Sequence, residues 1–273
     1  PFFGVEVKGA KRWLTLYIFR FQPVEFVKPF FILIIAQIIT SNRIKSLNFA
    51  HTISFFLLCL IVLFLVFQPD LGQSILLIIT WISIVFVSGF NLIFISLIIA
   101  FIVSLFFILL YFAPEKFSYI LTRLTSFISS EKSGYSQSQK AIEAIKEGGL
   151  KGQGMGEGIL KEKVPEAHTD YIIAVVSEEF GSIVSILIIL IFLFIAFRII
   201  KKVINYSDNF YKLSLCGLTS LLIFQSFIHV GVNANLLPTT GMTLPFLSYG
   251  GSSLLSSGII AGILLNYTSH NKN

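Results

Sequence analysis

Residues 91–112 read NLIFISLIIAFIVSLFFILLYF, twenty-two positions without one charged side chain. A hydrocarbon layer about 30 Å thick is crossed by roughly 20 apolar residues in a helix, so this stretch reads as a membrane span. Six more apolar runs lie near 22–41, 50–68, 71–88, 171–197, 211–232 and 251–267. Ser88-Gly89-Phe90-Asn91 joins two of them by a tight turn with helix-breaking chemistry. Lipid satisfies no irregular backbone, so closely spaced runs pack as antiparallel helices. The rest of the chain agrees. Of 273 residues, 55% are apolar, 12% charged and 29 are Phe, where a soluble domain carries roughly a quarter charged residues. The expected fold is all-α: a polytopic transmembrane helix bundle forming one membrane domain over 1–273, with a large extracytoplasmic loop at 113–170.

Pro1 is not an initiator, and no signal-peptide pattern precedes the first run. The chain is therefore read as the C-terminal portion of a longer membrane protein. Cys59 and Cys216 fall inside expected spans and are read as small buried apolar residues, not a disulfide framework. Short basic loops set the orientation. With 42–49 (Arg43, Lys45), 198–212 (Arg198, Lys201, Lys202, Lys212) and Lys272 inside, the loops 113–170 and 233–250 and residues 1–21 face outward. Residues 1–21 break the rule with Lys8, Lys11, Arg12 and Arg20 against Glu6. Either an anionic ligand sits there or residues further upstream rebalance the count.

The outward segments hold the polar chemistry. Ser136 to Glu147 repeats Ala141, Ile142, Ala144 and Ile145 among Lys and Glu, a short amphipathic helix lying on the bilayer or on the bundle. The glycines of 148–158 lack the strand and Lys-Ser/Thr pair of a phosphate loop; they let backbone approach a sugar or phosphate, or let the loop fold back. Pro165-Glu166-Ala167-His168-Thr169-Asp170 then leads into an apolar run. Thr169 or Asp170 alone would make an ordinary N-cap, but capping does not need Glu, His and Asp together. Glu178 lies eight residues past Asp170, close to the same helical face, with Glu179 beside it. Glu25 and Lys28 stand at i,i+3, a spacing that permits an ion pair. Asp70 in Gln68-Pro69-Asp70-Leu71-Gly72 can cap the following helix. Prolines and glycines between Asn233 and Gly251 break the helix, which at membrane depth is tolerated only against protein or a polar cavity.

These stretches, together with Gly9-Ala10-Lys11-Arg12-Trp13, Phe21-Gln22-Pro23-Val24-Glu25, Glu178-Glu179-Phe180-Gly181, Leu237-Pro238-Thr239-Thr240-Gly241 and Ser248-Tyr249-Gly250-Gly251-Ser252-Ser253, resemble the SEDS family (shape, elongation, division and sporulation) in the family's own order. The glycine pattern after Glu143-Ala144 is more similar to its division branch than to its elongation branch, and Val24 stands where Ser or Ala is more usual. The resemblance implies ten helices, of which about seven are present. It implies a peptidoglycan glycosyltransferase that polymerises lipid II at the outer face of the cytoplasmic membrane during cell division, by inverting hexosyl transfer from an undecaprenyl-diphosphate-linked disaccharide. It places the essential acid at Asp170. The partners it implies are a class B penicillin-binding transpeptidase, other divisome membrane proteins and membrane lipids, with no nucleic acid.

That chemistry suits these residues. A carboxylate can take the proton of an acceptor hydroxyl, the role given to Asp170. Lys11 and Arg12 can hold a diphosphate by charge-assisted bonds. Glu166, His168, Glu25, Lys28, Ser248 and Tyr249 complete the expected substrate-binding set. No cofactor is certain from the sequence, and a divalent cation (Mg or Mn) is a candidate. Two other classes remain: a lipid II flippase, because charged residues on spans and broken helices are also transporter features, and a scaffold for division partners.

Overall fold

The computed structural model describes residues 5–7, 10–16, 19–41, 47–112, 122, 125, 127, 137–164 and 166–269. Three short strands come first: β1 (Val5–Val7), β2 (Ala10–Leu16) and β3 (Phe19–Phe21). They form an antiparallel meander in which Val5 faces Trp13 and Leu14 faces Phe21. The sequence reading had only an outward segment here, since strands of three residues leave almost no period-2 signal. Helices follow: α1 (Pro23–Thr40), α2 (Leu47–Phe67), α3 (Leu71–Val87), α4 (Leu92–Phe112), α5 (Gln137–Gly148), α6 (Leu160–Lys163), α7 (Ile172–Phe180), α8 (Ser182–Val203), α9 (Asn209–Asn233) and α10 (Gly251–Ser269). Among the described residues α1, α2, α8 and α9 are each long and apolar enough to cross a membrane. Helix α3 is apolar at 17 residues, and α4 and α10 contain no charged side chain. The chain is a multi-pass helical membrane protein. Helix α2 shows what its solvent is. It buries Ala50, Ser54, Leu58 and Leu65 and exposes Phe56, Leu60, Leu63, Phe64 and Phe67, an outward face that hydrocarbon accepts and water would not.

The chain divides into two compact units, Pro1–Thr122 with Ile199–Leu221 and Gly262–Asn273, and Arg123–Arg198 with Leu222–Ala261. In the first, α1 starts on Pro23, whose missing N–H costs nothing at a helix start. Asp70 caps α3 by accepting from the Gln73 N–H at 3.5 Å, as its position suggested. Gly217 on α9 lets helices close up: a Cβ there would come within 2.6 Å of Ile32 on α1 and 2.8 Å of Ile84 on α3. Cys59 is exposed, not buried as expected, and Cys216 is half-buried. Position 59 falls one residue beyond the buried Leu58, on the side of α2 turned outward.

A polar network ties the start of α1 to the start of α3. Lys28 Nζ donates to Glu25 Oε1 at 2.9 Å, the i,i+3 pair foreseen from spacing, and both residues are fully buried. Gln73 Nε2 donates to the same Glu25 oxygen at 2.9 Å. Gln22 Nε2 reaches Asp70 at 3.4 Å. Arg12 on β2 donates from Nε to the Gln68 carbonyl at 3.1 Å and from Nη2 to the Pro69 carbonyl, with Asp70 Oδ2 at 3.6 Å from its Nε. Burial pushes the Asp70 carboxyl above its usual range, with the Arg12 guanidinium pulling the other way.

In the second unit the expected span 171–197 is corrected. It is two helices, α7 and α8, broken at Gly181 (φ +86°, ψ 163°). The glycine loop causes the break. Gln153 and Gly154 donate to the Glu178 and Glu179 carbonyls at 2.9 and 3.1 Å, and Ser182 N–H donates to Gly149 at 2.9 Å. A Cβ on Gly181 would stand 2.2 Å from the Leu150 carbonyl oxygen, and one on Gly152 2.3 Å from that of Glu179. Of the two readings of the glycine run, this contact is the fold-back. Glu178 therefore lies on the short helix α7 and not on the long apolar helix α8. Its buried carboxylate accepts from Ile159 N–H at 2.9 Å and Leu160 N–H at 3.1 Å, amides that begin α6 and have no helical partner of their own. The amphipathic helix foreseen at 136–147 is α5. It buries Ala141 and Ala144 in an apolar cluster with Leu160, Val164, Ala167, Tyr171, Ala174, Val175 and Val232.

Two outcomes test these constraints. Gly181→Ala should lower the stability of the purified protein by more than about 1 kcal/mol, because φ +86° and the Leu150 carbonyl both reject a side chain; chemical denaturation in detergent measures it. Glu25→Ala, which removes the carboxylate paired with the buried Lys28 ammonium, should cost about 3–5 kcal/mol, and the double change Glu25→Leu with Lys28→Met should recover most of that loss. Equal stability of the single and double variants would show that the pair is not electrostatically coupled.

Candidate active site

The Glu166–Asp170 turn is built on itself. The Glu166 carbonyl accepts from Thr169 N–H at 3.1 Å, Asp170 N–H at 3.0 Å and Thr169 Oγ1 at 3.2 Å. The non-helical segment 234–250, the broken backbone expected between two spans, is braced against this turn at two points. Tyr249 N–H donates to the His168 carbonyl at 2.9 Å. Ser248 Oγ donates to the Thr169 carbonyl at 2.6 Å and accepts from Leu244 N–H at 2.7 Å. Gly241, in a left-handed conformation at φ +71°, lies so close that a Cβ on it would sit 3.7 Å from Asp170 Oδ2. The Asp170 carboxylate is half-buried, enough to strengthen its electrostatics and still admit a ligand.

The N-cap position of α7 is Tyr171, whose side chain makes no capping bond. An acceptor comes from α9: Asn233 Oδ1 takes Ala174 N–H at 3.1 Å, while its Nδ2 donates to the Asp170 carbonyl at 2.9 Å and to the His229 carbonyl at 2.8 Å. Sequence reading passed over Asn233, along with His229 and Gln225. Their signal was present as polar side chains at 225, 229 and 233, one every four residues in the mostly apolar second half of the helix, hence on one face.

The other expected site residues are distributed as follows. Glu166 is half-buried; His168 and Tyr249 are exposed, Tyr249 at 83%. Ser248 is buried and serves the brace just described. Glu25, Lys28 and Arg12 belong to the polar network of the first unit, where each already has protein partners. Lys8 and the side chain of Lys11 lie outside the described residues. Glu178 does not join Asp170, being turned to α6. Among the described residues no group of three or more His, Cys, Asp or Glu side chains could hold a metal ion.

Known proteins place the chain. The family model of the FtsW/RodA/SpoVE cell cycle proteins matches residues 1–273. A protein of Caulobacter vibrioides named "Probable peptidoglycan glycosyltransferase FtsW" is 36% identical over 269 residues, covering 97% of this chain and 67% of the relative. A protein of Francisella salina with the same name is 36% identical over 278 residues, covering 100% and 69%. In fold, the chain is similar to a subunit of a peptidoglycan synthase complex that coordinates polymerization and crosslinking, with TM-score 0.73 and 24% identity over 99% of this chain and 76% of that one. The rod shape determining protein RodA of Thermus thermophilus gives TM-score 0.66 and 24% identity over 99% and 73%. With its motifs in order and the match running from end to end, the chain belongs to the FtsW/RodA/SpoVE family of cell cycle proteins, the SEDS proteins.

Proposed function

We propose that this protein is a peptidoglycan glycosyltransferase that polymerises lipid II at the outer face of the cytoplasmic membrane, at the division septum. The observation that carries the reading is Asp170: half-buried, beside the exposed His168, and held in a turn braced from two directions by hydrogen bonds to its main-chain carbonyls. Relatives 36% identical carry the same activity in their names.

In the proposed reaction Asp170 accepts the proton of an acceptor sugar hydroxyl as that oxygen attacks the anomeric carbon of the donor. The new glycosidic C–O bond forms with inversion, the bond from the anomeric carbon to diphosphate breaks, and undecaprenyl diphosphate leaves with the electron pair. General-base assistance of this kind contributes about 10²–10⁴-fold. Exposed His168 and Tyr249, joined through one main-chain bond, offer an imidazole and an aromatic face to the sugar. Glu166 opens the same turn. Arg12 is committed to the Gln68 and Pro69 carbonyls and to Asp70, so the diphosphate proposal rests on Lys11 with Arg12 as the weaker partner. Glu25 and Lys28 support the spans through their pair. A class B penicillin-binding transpeptidase is the proposed partner, joined by other divisome membrane proteins.

Two experiments test this. Asp170→Asn in the full-length protein, assayed with its transpeptidase partner on purified lipid II, should lose at least about a hundredfold in glycan formation while inserting into membranes normally. Polymerisation at the parent rate would overturn the base assignment, and lipid II translocation in liposomes surviving alone would favour the flippase class. For orientation, single cysteines at Met155 and Ser207, both exposed positions, are placed in a protein lacking Cys59 and Cys216. An impermeant thiol reagent applied from outside should label position 155 and spare 207; the reverse pattern would invert the topology.

A further inference from the structure

Three buried polar side chains of helix α9 in the second unit, Gln225, His229 and Asn233, grip main chain outside the helix, while the fourth, Ser226, bonds back to the Leu222 carbonyl. Gln225 Nε2 donates to the Thr243 carbonyl at 2.9 Å. His229 Nδ1 stands 2.8 Å from the Met242 carbonyl, an acceptor, so this nitrogen carries the proton. Asn233 donates to the Asp170 carbonyl and receives Ala174 N–H. Gln225, His229 and Asn233 are all buried. A spanning helix gains nothing from buried amides and imidazoles as such, since each costs free energy unless paired. Here the pairing is to carbonyls that leave the helical pattern and need donors of their own.

The consequence concerns Asp170 from two sides. His229 and Gln225 fix the Met242 and Thr243 carbonyls, directly after Gly241, the residue lying against the Asp170 carboxylate. Asn233 fixes the Asp170 main chain and supplies an acceptor to the Ala174 N–H of α7. One rigid rod therefore sets both the carboxylate's own backbone and the wall beside it, through residues four apart.

We propose that Gln225, His229 and Asn233 form a positioning rack that orients Asp170 for proton transfer, with Asn233 and His229 its decisive members. The inference rests on the reading of Asp170 as the base. Misplacing a base by about 1 Å can cost on the order of 10²-fold in rate without weakening substrate binding, so the rack should act on kcat and leave KM alone.

The test uses the full-length protein with its partner transpeptidase, rates being normalised to folded protein and measured over a range of purified lipid II concentrations. His229→Leu should lower the maximal rate at least tenfold with KM within twofold. His229→Asn, whose Nδ2 can occupy the place of Nδ1 and donate to the Met242 carbonyl, should recover to within threefold of the parent. Asn233→Ala should also lower the maximal rate at least tenfold at unchanged KM. Should Asn233→Ala fail to fold, the His229 pair decides alone. Equal rates for His229→Leu and His229→Asn, or a loss confined to KM, would overturn the rack. Asp170→Asn separates the two levels: if it is inactive while the rack variants match the parent, only the rack fails, whereas an active Asp170→Asn removes the base reading itself.

Discussion

A backbone that stops being helical between two spanning helices must find partners for its N–H and C=O groups within the protein, because hydrocarbon offers none. The second unit is arranged around that constraint. Segment 234–250 hands its carbonyls at 242 and 243 to α9 and an amide and a hydroxyl at 249 and 248 to the 166–170 turn. The turn returns the favour by staying fixed. What places the half-buried Asp170 is thus the accounting of main-chain hydrogen bonds around it.

The first unit solves a different problem with the same means. Arg12, Glu25, Lys28 and Asp70 are two cations and two anions, and they are distributed so that each charge has an opposite charge or an amide beside it. Their formal charges cancel. Taking a charge out of water costs several kcal/mol even after relaxation, so single charges on spans are rare and paired ones survive. Gln22 and Gln73, neutral and able to give and accept, connect the pairs. Such a network favours one arrangement of the β2, α1 and α3 ends over near alternatives, because any slip would strand a charge.

Close approach of backbone supplies the third constraint. The glycine loop lies on the end of α7 at a distance where side chains do not fit, and the contact converts an apolar stretch that could run on as a single helix into two. Glu178 then gains its function from the break. Its carboxylate closes the first turn of α6 and fastens the loop to α7. The apolar face of α5 packs onto the same short helix, so the loop region has its own small core of alanines and valines.

Much of this was legible in the sequence because the solvent is lipid and the signal it imposes is local. Runs of apolar residues mark spans wherever they are long enough; the Glu25–Lys28 pair and the Asp70 cap follow from spacing along one helix. The amphipathic period of α5 and the breaks at 233–250 are equally local, and the order of the motifs is enough to suggest the family. Other features depend on residues far apart in the chain, and no local pattern encodes them. Hydropathy alone merges α7 with α8, since nothing within 171–197 announces that Leu150 and Gly152 will press against Gly181. The acceptor for the Ala174 N–H and the donor to the Asp170 carbonyl both come from Asn233, sixty-three residues after Asp170. Arg12 looked available for a phosphate until the fold brought the 68–70 turn to it. Sequence determined which residues are polar in an apolar chain; tertiary structure decided which partner satisfies each, because a hydrogen bond is a matter of distance in space and a membrane leaves no water to make up for a missing one.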